Sequence, residues 1–380
     1  MTNCTSLFYL IIIASLFSCK NGGQQKSFAN KDSILRNASM EDSVKSKSNR
    51  DSLLHRKSSN EIANDKTQNI DDSLANSIVP SKIKFNFFAL RKIVLKEPFS
   101  SEEALQKLFP GHYYKLEVPY ADKDTISLVA WSCPDCPKHK FFGYFSDDSL
   151  EIFPLKDSNE TRIADTLQFK DDNGKRNIIL SFSTTPFMVD LLGTGRFSGD
   201  FFSLAFFTEE NHKWVLKAFT PALGYYGSFQ DLPQIHLIKF GKNNFGCYFK
   251  DGNGPAGGPY YYSIYAFGIV DKEFKLIFNS FSGRTGSFSN WDSKIRIDSL
   301  GKLNFDDLTF ITKGNYSKQG FDQDQDDTAN TPDEIKNLIK KNNDFYFTIK
   351  NHFKFQKNEY IFEKPAEINT SMKKEKSNLR

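Results

Sequence analysis

Between Ser81 and Lys364 the apolar positions recur mostly in steps of two, with polar residues between them. That period belongs to a strand with one face buried. It predicts strands over residues 82–96, 125–131, 138–145 and 166–170. The turn Asp172-Asn173-Gly174 then leads into a further strand over 177–182, and Asn-Gly between apolar runs is the strongest short-range hairpin signal. Helical patterns are few. Ser100 with Glu103 forms a capping box, opening a helix that stops at Pro110-Gly111. Thr331-Pro332-Asp333-Glu334 opens another, running to about Asn342. The expected class is all-β, built of antiparallel meanders.

The chain also matches itself. Residues 201–229 align without gaps on residues 260–288 at an offset of 59, and Gly224-x-x-Gly227-Ser228-Phe229 falls on Gly283-x-x-Gly286-Ser287-Phe288. After one inserted residue the match resumes, Gly241-Lys242 on Gly301-Lys302 and Asn244-Phe245 on Asn304-Phe305. Each unit reads as four strands with a charged turn, a glycine-rich turn and a Gly-Lys turn between them. Two such meanders that superpose would make a β-propeller or a sandwich formed by duplication.

The first residues have a different pattern. An apolar run, Leu7 to Phe17, is followed by Ser18, Cys19 and Lys20. Eleven residues of helix reach about 16 Å, half of a hydrocarbon core, which is too short to span and the right length for a signal peptide. Leu16-Phe17-Ser18-Cys19 resembles the lipobox of bacterial lipoproteins. The resemblance implies cleavage before Cys19, lipidation of its thiol with chains such as palmitate, and residence in the cell envelope, on the outer membrane. Two or three acyl chains anchor firmly where one is marginal.

Composition divides the rest. Residues 1–18 read as signal peptide and 19–80 as lipidated Cys and disordered stalk. In Lys20–Pro80, ten basic residues face eight acidic ones and Phe28 is the only aromatic, so little apolar surface offsets the entropy of ordering. Such a stalk reaches about 45 Å on average. Residues 81–195 and 196–366 read as the two β-rich parts of the body, the second carrying the repeat, and 367–380 as a charged tail. Phe supplies 38 of the 380 residues, ample for a large core. A net charge of +4 with no basic stripe argues against a nucleic-acid partner.

Candidate chemistry is sparse. Trp131-Ser132-Cys133-Pro134-Asp135-Cys136 looks like a thioredoxin active site, but thiolate activation there needs a following helix, and Pro137 with a strand pattern follows instead. In an oxidising envelope the expectation is a structural bridge between Cys133 and Cys136, with Cys247 left buried. An envelope thiol oxidoreductase using Cys133 and Cys136 is the alternative function. Asp322, Asp324, Asp326 and Asp333 carry an EF-hand-like spacing, without the Gly or the terminal Glu that a Ca²⁺ loop requires. Asp251-Gly-Asn-Gly-Pro-Ala-Gly-Gly-Pro259 lacks the Lys-Ser/Thr ending of a phosphate cradle and precedes a strand. It is instead a candidate rim for a binding face at Tyr260, Tyr261, Tyr262 and Tyr265. No cofactor is expected. The sequence favours a non-enzymatic module for a glycan, a peptide or another envelope protein.

Overall fold

The computed structural model describes residues 78–84, 92–117, 125–136, 139–141, 150–153, 158–186, 199–228, 232–254, 259–286, 289–298, 304–318, 331–339 and 344–372. Residues 1–77, on which the expected signal peptide, Cys19 and nearly all of the expected stalk fall, lie outside the described residues, as do Asp322, Asp324 and Asp326.

The body is all-β, as its periodicity requires. The first sheet has β1 (Ser81–Lys82), β2 (Val94–Lys96), β3 (His112–Glu117), β4 (Thr125–Ser132), β7 (Ser158–Lys170), β8 (Arg176–Pro186), β9 (Asp200–Glu210) and β10 (Lys213–Tyr226), with β5 (His139–Phe141) and β6 (Leu150–Phe153) as a separate pair. Its order is β1-β4-β7-β8-β9-β10-β2, with β3 also on β4. Helix α1 (Ser101–Leu108) starts where the capping box predicts, Ser100 Oγ accepting from the Glu103 N–H at 3.1 Å. The second sheet runs in strict chain order: β11 (His236–Gly241), β12 (Asn244–Asn253), β13 (Tyr260–Val270), β14 (Glu273–Thr285), β15 (Asn290–Ile297), β16 (Leu308–Ser317), β17 (Asp344–Gln356) and β18 (Glu359–Met372). Helix α2 (Asp333–Ile339) lies between β16 and β17. The strand β18 extends to Met372, past the expected end of the body at 366.

Three hairpins turn on two residues that both have positive φ: Asn211-His212, Asp271-Lys272 and Lys357-Asn358. Such turns match the right-handed twist of the strands they join. The first two lie sixty residues apart, so β9 corresponds to β13 one residue out of step with the expected offset of 59. A one-residue slip exchanges the faces of a strand. The offset returns to 59 at Gly224 and Gly283, because β10 carries two extra residues between Thr220 and Gly224 where β14 carries one between Phe281 and Gly283.

Beyond those glycines the expected superposition fails. β14 pairs with β15 through Gly283–Asp292, Arg284–Trp291 and Thr285–Asn290. The chain after Tyr226 instead leaves the first sheet and begins β11 in the second, where among the described strands β11 pairs with β12 alone. Each unit is therefore two hairpins, β9–β10 and β11–β12 against β13–β14 and β15–β16, but only the second pair is joined into one four-stranded meander, which is not repeated. Two sheets of eight strands also replace the radial four-stranded blades of a propeller. The chain passes from the first sheet to the second between Tyr226 and His236.

Alternation places the cores. Ile178, Leu180, Phe182, Ala205, Phe207, Trp214 and Phe219 turn one face of the first sheet toward α1, whose Phe109 ring lies 5.3 Å from Phe182 and 5.6 Å from Phe219. The opposite face presents Ile179, Phe202, Leu204, Ala218 and Tyr226 to Cys247, Phe249, Phe267 and Phe274 of the second sheet. The second sheet curls, so that Phe240 of its first strand lies 6.2 Å from Tyr360 of its last. Tyr360 donates to the Asp306 carbonyl at 3.1 Å, and Asp306 donates to the Phe240 carbonyl at 2.7 Å. Its inner face encloses Ile264, Ala266, Ile277, Ile295, Leu308, Phe310 and Phe353. Farther along the same face of β15–β17, α2 covers Trp291, Phe345, Phe347 and Ile349. Among the described residues, no helix is long and apolar enough to cross a membrane.

Candidate functional site

A cleft of about 500 Å³ opens where the chain passes from the first sheet to the second. Its walls come from the connection (Gly227, Ser228, Leu232, Pro233, Gln234), from His236, from Tyr248, Lys250, Asp251 and Gly252 of β12, and from Tyr260 and Tyr262 of β13. The local cause is strand length. β11 begins at His236, opposite Tyr248, so β12 runs on past its neighbour and leaves part of the inner face uncovered. Tyr248 continues this face into the apolar interior of the curled sheet.

Strand alternation divides the four tyrosines picked out in the sequence. Tyr260 and Tyr262 share the inner face and line the cleft, their ring centroids 4.8 Å apart. The Tyr260 hydroxyl donates to the Gly252 carbonyl, which fixes the ring across the β12–β13 pair. Tyr261 and Tyr265 point the other way and belong to the core. Tyr261 is buried with its ring 5.9 Å from Phe281, and Tyr265 packs 4.7 Å from Tyr226 between the two sheets. A run of tyrosines in a strand cannot all face one side, so of the four only Tyr260 and Tyr262 line this cleft.

Asp251 holds the cleft together. It is buried, and its carboxylate accepts from the backbone N–H of Gly227 and of Gly252, each at 2.9 Å. This clasps the exit of β10 onto β12. Burial pushes the Asp251 carboxyl above its ordinary range, against the opposing pull of the two N–H groups. Gly227 takes φ 86° at the turn, a conformation in which a side chain is strained. Gly252 is needed for a different reason: a Cβ there would lie 2.0 Å from the Tyr261 carbonyl oxygen.

The charged and aromatic groups around the rings are also engaged. Lys250 pairs with Asp292. The His236 ring lies 5.2 Å from that of Tyr248. Burial first, and the Asp292 carboxylate second, push the Tyr248 phenol up, so it remains a protonated hydrogen-bond donor.

Cys133 and Cys136 are bonded to each other in a turn closed by the Cys136 N–H on the Cys133 carbonyl at 3.0 Å. Both are buried in the core beneath α1, beside Trp131. A second thiol would have to enter that core to exchange with them, which argues against the thioredoxin-like reading. Cys247 is buried, and its thiol is pushed far above its ordinary range by burial. Asp333 sits in the first turn of α2 and pairs with Lys336 at 2.6 Å. Among the described residues no group of three or more His, Cys, Asp or Glu could hold a metal ion.

Comparison with family models, curated protein sequences and solved structures finds no match to this chain. The missed members of the cleft include Gln234, His236, Tyr248 and Lys250. The one signal that pointed toward them was the glycine-rich stretch beginning at Asp251, whose residues 255–258 lie outside the described residues.

Proposed function

We propose that this chain is a lipid-anchored protein of the bacterial cell envelope, on the outer membrane, whose β body is a non-enzymatic binding module. The observation that carries the binding reading is the cleft at the junction of the two sheets, where Tyr248, Tyr260 and Tyr262 gather around a volume of about 500 Å³. That is within the size range of small-ligand sites. Its charged side chains are committed to holding the fold: Asp251 accepts two backbone N–H groups, and Lys250 is paired with Asp292. What they leave for a ligand is the faces of the tyrosine rings and the Gln234 amide, which are groups suited to recognition. The anchor reading rests on Leu16-Phe17-Ser18-Cys19 after the apolar run. The long polar stalk that follows would hold the cleft clear of the lipid surface.

Fractionation of cells making the full chain tests the anchor. Wild-type protein should sediment with the membranes, and Cys19→Ala should release it or leave it as an unprocessed precursor. A Cys19→Ala protein that is processed and still wholly membrane-bound would refute lipidation as the attachment.

A further inference from the structure

We propose that the ligand of the cleft is a neutral oligosaccharide, held by stacking of its sugar rings on Tyr260 and Tyr262. This rests on the binding-module reading above and names the ligand class for that site.

The first argument is the choice of aromatic residue. The chain has 38 Phe and 15 Tyr, and its three main cores are filled chiefly by Phe, Ile and Leu. The cleft reverses that preference: among the described residues that line it there are three Tyr and no Phe, and the apolar contributions are Leu232 and Pro233. A phenol offers an apolar face and a hydroxyl at one edge. That matches a ligand whose surface alternates C–H faces with hydroxyl groups, as a pyranose ring does. Apolar peptide side chains would be better served by a pocket of the Phe, Leu and Met type.

Charge is the second argument. An anionic ligand needs a cation that is available to it, yet the Lys250 ammonium is neutralised by Asp292. A cationic ligand needs a carboxylate facing it, yet both Asp251 oxygens already accept backbone N–H groups. An uncharged ligand with many hydroxyls demands neither.

Preorganisation is the third. Tyr260 is tied by its hydroxyl to the Gly252 carbonyl, and it packs against Tyr262 at 4.8 Å on the same strand face. Rings already fixed in place lose little freedom when a ligand settles on them.

The test uses the full chain in detergent micelles, titrated calorimetrically with α- and β-linked neutral glucose tetrasaccharides and with N-acetylglucosamine tetrasaccharide. A polygalacturonate oligomer and a mixed peptide library serve as the charged and peptide probes. One neutral class should bind, Tyr260→Ala and Tyr262→Ala should each weaken it by about tenfold or more, and Tyr262→Phe should weaken it less. Tyr346→Ala, which alters an exposed tyrosine outside the cleft, should leave the affinity unchanged. Binding of no neutral oligosaccharide at millimolar concentration overturns the proposal. So does a neutral sugar whose affinity is indifferent to both alanine variants. If only the acidic oligomer or a peptide binds, and Tyr260→Ala removes it, the sugar class falls while the binding module stands. Hydrolysis of a bound oligosaccharide would keep the ligand class and overturn the non-enzymatic reading.

Discussion

Replacing Phe202 by Ala removes the ring that couples the two sheets. Phe202 is fully buried on β9, with ring centroids 5.1 Å from Phe249 and 5.2 Å from Phe267 of the second sheet, and 6.0 Å from Tyr226. Loss of its transfer free energy accounts for roughly 2 kcal/mol at 25 cal/mol per Å² of apolar area. Its neighbours are rings anchored in two separate hydrogen-bonded sheets, so they cannot easily collapse into the space. The unfilled cavity should add roughly 2 kcal/mol more. The expected loss is therefore about 4 kcal/mol, a large share of the 5–15 kcal/mol typical of a domain. Urea unfolding followed by circular dichroism measures that loss. Hydrogen exchange should in addition show faster opening in β8–β9 and in β12–β13 together. A loss below about 1 kcal/mol, or faster exchange confined to the first sheet, would refute the claim that this ring belongs to one core shared by both sheets.

Two further outcomes concern the first sheet. Burial raises the Glu160 carboxyl from 4.5 to about 7, with Arg162 opposing. Since the folded state holds this proton more tightly, the stabilisation is full below pH 4.5 and is lost as the pH rises through about 7. Glu160→Gln should therefore stabilise the protein above pH 7 by up to about 3 kcal/mol and have little effect below pH 4.5, as read from urea melts; an equal effect at both ends would refute it. Replacing Cys133 and Cys136 together by Ala opens a four-residue loop and should cost about 2 kcal/mol without altering ligand affinity. Free thiols at both positions in non-reduced mass spectrometry of the wild-type protein would contradict the bridge.

Local features of the fold were the legible ones. The Ser100–Glu103 cap, the Asp172-Asn173-Gly174 hairpin and the run of strands follow from side-chain hydrogen bonding, turn conformation and period, all set by neighbours in sequence. Which strands share a sheet is different, because pairing partners compete across the whole chain. Gly224 and Gly283 occupy equivalent bulged hairpins, yet one strand continues into its sheet and the other leaves it. A local motif repeats there without the architecture repeating. The slip between offsets of 59 and 60 arises inside a bulge, where an extra residue leaves the apolar pattern on either side intact.

The cleft was half legible for a related reason. Alternation shows that Tyr260 and Tyr262 share one face and Tyr261 and Tyr265 the other, but not which face meets solvent. That is decided by where β11 stops and by the Asp251 clasp on Gly227, 24 residues away in sequence. Tyr248 and His236 reach the site through cross-strand pairing with each other. No motif within a single segment carries that information.

The central claim is that ligand binds at Tyr248, Tyr260 and Tyr262. It is tested most directly by aromatic carbon–proton NMR spectra of tyrosine-labelled protein, assigned with single Tyr→Phe variants, during titration with the oligosaccharide selected by calorimetry. Saturable shifts are expected at Tyr248, Tyr260 and Tyr262, while the exposed Tyr346 and the core residues Tyr261 and Tyr265 stay in place. Saturating ligand that moves Tyr346, or that leaves all three cleft tyrosines unchanged, would contradict that claim.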